Sequence, residues 1–120
     1  MQYLQDALQI LAGLGILNVW LLRFRQKTPY RGGDATSMTE EFKNYGLPDA
    51  SVYIVGFLKI ISAAGLIAGL IIPSLVNPSA ILLALLMIGA LSMHLKVKDP
   101  VKKSLPATAM LSLCILILLL

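Results

Sequence analysis

Lys59 is the one basic residue of ten that lies inside a long apolar run. Its ammonium is suited to donate to a ligand carbonyl, a quinone oxygen or an anion. A lone lysine near mid-bilayer costs roughly 2.5 to 3.5 kcal/mol on insertion scales, so the position calls for a partner or a use. Asn18, His94 and Thr108 occur in the three other apolar stretches at related depths. With Lys59 they outline a ligand-binding pocket whose floor is Lys59, about 12 Å in from residue 51 at the helical rise. The plainer reading gives each residue a packing role. The lysine stem then snorkels to the surface, His94 sits at the interface, and Asn18 hydrogen-bonds across helices. Asp99, Glu40 and Glu41 are the carboxylates that loops could bring to Lys59, and the sequence does not choose among them. No pair of titratable groups is spaced for acid and base roles, so no catalytic residue is expected. One histidine with Asp6 toward the opposite surface makes no metal set. Cys114 is the only cysteine, which excludes a disulfide within the chain and any CxxC pattern.

The elements that must position these residues follow from composition. Of 120 residues, 58% are hydrophobic and 13% charged, the balance of a membrane protein. Each crossing needs about 20 apolar residues, and residues 1–120 divide as one membrane domain into spans of about 3–22, 51–72, 78–95 and 104–120. The expected fold is all-α, a transmembrane four-helix bundle. The first span has its positive charges after the apolar stretch and lacks an A-x-A-like site, so it reads as a mature helix rather than a signal peptide. The second follows Gly46-Leu47-Pro48, with Asp49 or Ser51 as N-cap, and ends at Pro73. Asn77 and Pro78 read as cap and first helical residue of the third, and Pro106 falls in the first turn of the fourth.

Nine basic residues occupy two segments, Arg23, Arg25, Lys27, Arg31 and Lys43 in one and Lys96, Lys98, Lys102 and Lys103 in the other. The stretch 73–79 has none. Positive-inside bias therefore places both basic loops in the cytoplasm and both termini outside it, in a bacterial inner membrane. The net charge of +4 is read as attraction of Arg23, Arg25, Lys96, Lys98, Lys102 and Lys103 to an anionic inner leaflet, with no nucleic acid as partner. In the first loop, Ser37-Met38-Thr39-Glu40 fits a capping box, and Met38, Phe42 and Tyr45 recur at helical spacing. They predict a short amphipathic helix, either resting in the headgroups or acting as a lid over the bundle.

Helical projection gives the packing faces. Gly56, Lys59, Ser62, Ala63 and Leu66 share one broad face of the second span, with the GxxxG pair Gly65 and Gly69 at its edge, suited to packing within the bundle. Ala80, Ala84, Met87, Leu91 and His94, at spacings of four, three, four and three, mark the inward face of the third.

Asn44-Tyr45-Gly46-Leu47-Pro48, Val55-Gly56-Phe57-Leu58-Lys59, Met87-Ile88-Gly89-Ala90 and His94-Leu95-Lys96-Val97-Lys98-Asp99-Pro100 resemble segments of the DoxX-like family of small four-helix membrane proteins. The resemblance implies a membrane subunit associated with thiosulfate and quinone oxidoreduction, a partner in membrane redox complexes, or a chaperone or cargo receptor. It carries over to Gly56, Lys59, His94 and Asp99 without a catalytic role. Lys59 stands where many members would have a glutamate, a departure that breaks the link to carboxylate-based roles. The first expectation is a non-catalytic helper subunit that packs beside another membrane protein or itself. The alternative is a subunit binding a lipophilic, quinone-like molecule around Lys59, and an oligomeric transporter or channel ranks below both. No cofactor motif is evident, and quinone is the one candidate.

Overall fold

Within a bilayer every backbone N–H and C=O must be satisfied inside the protein, and long apolar runs meet that requirement as helices. The computed structural model describes residues 2–24, 30–33 and 35–120. Its main helices are α1 (Gln2–Leu17), α2 (Met38–Asn44), α3 (Asp49–Ala68), α4 (Val76–Lys96) and α5 (Val101–Leu119). A π-helical turn, Asn18–Leu22, extends α1, and a 3-10 turn, Pro73–Leu75, leads into α4. No strand occurs among the described residues. Four stretches are long and apolar enough to cross a membrane: Tyr3–Leu22, Asp49–Ala68, Pro73–Lys96 and Val101–Leu119.

The four long helices pack in the cyclic order α1, α3, α4, α5, so α1 lies diagonally across from α4. Small residues set the spacing. A methyl group on Gly65 would stand 2.0 Å from Ser79 Oγ, and one on Gly69 would stand 2.5 Å from Val76 Cγ2. The GxxxG pair thus holds α3 against the start of α4. Ser62, Ala63 and Leu66 are buried on α3, as are Ala80, Leu83 and Met87 on α4, while Ala84 is half-buried. Gln9, buried on α1, donates from Nε2 to the Leu66 carbonyl at 2.8 Å and ties α1 to the end of α3.

Several boundaries differ from the sequence expectation, for reasons of local hydrogen bonding. α4 starts at Val76, and Asn77 makes no side-chain cap. Pro78 falls in the first turn, where a missing N–H breaks no helical bond. α5 starts three residues before Ser104, which puts Pro106 in its second turn, where it removes one bond to the Lys102 carbonyl. Neither Asp49 nor Ser51 caps α3; Ser51 Oγ instead donates to the Pro48 carbonyl at 2.6 Å. Only half the capping box forms. Ser37 Oγ accepts from the Glu40 amide at 3.3 Å, but the Glu40 carboxylate accepts from the Thr36 amide at 2.7 Å and from the Thr36 hydroxyl. Those bonds from Thr36 hold the Glu40 carboxyl below its ordinary range.

Candidate functional site

The amphipathic helix α2 turns its apolar side toward the bundle, with Met38, Phe42 and Tyr45 buried. Aromatic contacts carry it across the end of the helices. Trp20 meets Phe24 at 5.8 Å and Phe42 edge-on at 6.1 Å, Phe42 meets Tyr45 at 5.9 Å, and Tyr45 meets the His94 ring edge-on at 5.9 Å. The π turn contributes at the α1 side. Its Asn18 carbonyl accepts from the Arg23 amide at 3.0 Å, and Trp20 within the turn is buried. Gly56 gives that ring room, since a methyl group there would stand 2.7 Å from Trp20 Cζ3.

Two polar networks fix this end, called the basic end below. Glu41 accepts from Arg31 at 3.3 Å, from the Gly32 amide at 3.1 Å and from the Tyr45 hydroxyl at 2.6 Å. Burial, and then the Glu41 charge beside it, push the Tyr45 phenol far above its ordinary value. The second network centres on Asp99 in the turn between α4 and α5. Asp99 Oδ2 lies 2.7 Å from His94 Nδ1, Oδ1 accepts from the Gly33 amide at 2.9 Å, and Lys103 Nζ lies 3.8 Å from Oδ1. Burial opposes ionisation of Asp99, but the bonds from His94 and Gly33 and the nearby charges outweigh it and hold the carboxyl below its ordinary range. Lys103 also donates to the Gly33 carbonyl, and Lys96 donates to the Tyr45 carbonyl at 2.7 Å. The first loop is therefore laced to both α4 and α5.

Beneath this cover lies a cavity of about 660 Å³, lined mostly by apolar side chains of α1, α4 and α5 together with residues of α2 and α3. Asn18, Lys59 and His94 all line it. Thr108 does not; it is exposed on the outer face of α5, one position from the buried Ala107. Lys59 is only 9% exposed, and its Nζ stands 5.0 Å from the centroid of the Trp20 ring. Such a cation–π contact is worth about 0.5 to 2 kcal/mol. Among the described residues no hydrogen bond or ion pair reaches the Lys59 ammonium. Each of the three carboxylates considered for it is engaged elsewhere: Asp99 with His94, Gly33 and Lys103, Glu40 with Thr36, and Glu41 with Arg31 and Tyr45. His94 is held by Asp99 through Nδ1.

Among the basic residues assigned to the membrane surface, Arg23, Lys96, Lys98 and Lys102 are exposed, and Lys96 together with Lys103 also braces the first loop. Arg25 lies outside the described residues, as does Lys27. The Arg31–Glu41–Tyr45 network was not anticipated, although Glu41 on α2 and Tyr45 at its C-cap are spaced i,i+4, a spacing that pairs side chains. Among the described residues no group of three or more His, Cys, Asp or Glu side chains is placed to hold a metal ion.

No curated protein and no solved structure matches the chain. The sequence model of the DoxX-like family matches residues 33–117, from the first loop through nearly all of α5. With four helices long and apolar enough to cross a bilayer, the chain is an integral membrane protein and belongs to the DoxX-like family.

Proposed function

We propose that the chain is a non-catalytic membrane subunit that holds a lipophilic small molecule in the cavity at the basic end, with the polar head of that molecule at Lys59. The observation that carries this reading is Lys59, a residue only 9% exposed, whose ammonium lies over Trp20 at a largely apolar cavity and is bonded to no carboxylate among the described residues. Burying a charge without a partner is costly, so a lysine serving only as packing is a poor choice beside methionine. The volume of about 660 Å³ falls within the range of about 300 to 1,000 Å³ common to small-molecule sites. A quinone fits the chemistry, because its carbonyl oxygens accept from an ammonium and its ring and tail are apolar.

Native mass spectrometry of the protein extracted with its lipids tests the reading. The expected result is a bound lipophile whose occupancy falls in Lys59→Met. Ligand-free spectra for both forms overturn it. The subunit role is tested separately, because gentle extraction should recover another membrane protein or a second copy; a free monomer in every extraction condition overturns that part alone.

A further inference from the structure

The charge around the cavity narrows the ligand class. Among the described residues, Arg23, Arg31, Lys59 and Lys103 line it against one carboxylate, Glu41. Glu41 is already engaged by Arg31, Gly32 and Tyr45, and Lys103 shares Asp99 with His94 and Gly33. Lys59 lies over the face of Trp20 and feels the Glu41 charge only at a distance, without a bond to it, and a ring quadrupole offsets only part of the cost of a buried cation. A neutral head, a quinone included, accepts from the ammonium but leaves its charge unbalanced, whereas an anionic head balances the charge through a charge-assisted hydrogen bond. The walls also give an apolar chain a way out. Leu85 and Gly89 of α4 line the cavity yet are exposed, so it reaches the flank of the bundle at α4, and a methyl group built on Gly89 meets no atom within 4 Å.

Resting on the reading of this cavity as a binding site, we infer that its occupant is an anionic amphiphile, the acidic head on Lys59 and the chain running out past Gly89 between the helices into lipid. Two sources offer that chemistry, a single-chain fatty carboxylate and a two-chain acidic phospholipid.

Trp20 is the only tryptophan of the chain and lies under the Lys59 ammonium, so its fluorescence reports on the site directly. The full chain in nanodiscs of phosphatidylcholine is titrated with three chain-brominated quenchers: a fatty carboxylate, the fatty alcohol of the same chain, and phosphatidylglycerol. Saturable quenching by at least one anion at tenfold or lower concentration than the alcohol is expected, a difference of about 1.4 kcal/mol. The anion that saturates first identifies the source. Lys59→Met should abolish the preference for the anion and Lys59→Arg should keep it. Equal affinity of the wild-type protein for alcohol and anions overturns the inference about charge and leaves the cavity reading standing. Saturable quenching by none of the three probes likewise overturns the inference, while the cavity reading stands or falls by the native mass spectrometry, and this comparison needs no variant to fold.

Discussion

Glu41 gathers an arginine, a backbone amide and a phenol in a shell where the Arg31 side chain is 4% exposed and that of Glu41 itself 10%. Removing one member of a buried ion pair leaves the other charge without its counterpart, at a cost of about 3 to 5 kcal/mol. Glu41→Ala should therefore lower resistance to denaturation strongly, while Glu40→Ala, which changes an exposed group tied only to Thr36, should leave it nearly unchanged. Thermal unfolding in mild detergent distinguishes the two, and equal melting points would refute the assignment. Asp99 supplies a pH dependence of definite sign. Its carboxyl is held below the ordinary value in the fold, so the stability it adds is complete above the unfolded value of about 3.9 and is lost as pH falls through the depressed folded value. The Gly33 amide, which donates to Asp99, should lose protection from hydrogen exchange on acidification. In Asp99→Asn that protection should already be weakened at neutral pH, with the acid step gone.

Contacts between whole helices divide the glycines into two kinds. Gly65 sits where α3 meets Ser79 of α4, whereas Gly89 faces open space in the cavity wall. Gly65→Leu should cost about 1 to 3 kcal/mol by forcing α3 and α4 apart. Gly89→Leu should keep or raise stability, since leucine favours helix, and should block ligand binding by filling the exit. Measuring unfolding and Trp20 quenching on both variants checks the division; a stable Gly65→Leu or a freely binding Gly89→Leu contradicts it. The inward face of α4 was legible in the sequence because its small and apolar residues recur at four, three, four and three, ending on the buried His94. Thr108 was misplaced because chain order gives depth along a helix but not its rotation. In α5 the apolar residues run round the whole surface, and only contacts show that Ala107, Cys114 and Ile117 face inward. Lys59 was legible as an anomaly, but not its seat on Trp20, which depends on a π turn and on the close approach allowed by Gly56.

At the scale of the molecule the basic residues serve two purposes at one end. Arg31, Lys96 and Lys103 hold the first loop over the cavity, which charge counting alone does not reveal, while Arg23, Lys96, Lys98 and Lys102 are exposed. Positive-inside bias, which acts through lysine and arginine beside the spans, predicts that this end faces the cytoplasm. The cavity should then lie on the cytoplasmic side, and the 3-10 turn at Pro73–Leu75, free of charge, on the opposite side. Single-cysteine labelling tests the arrangement against a quiet background, since Cys114 is fully buried. Ser74→Cys should react with a membrane-impermeant maleimide on intact cells, and Lys102→Cys only after permeabilisation. The reverse pattern would place the cavity on the outer side, where an amphiphile bound at Lys59 would be drawn from the outer leaflet instead of the inner one.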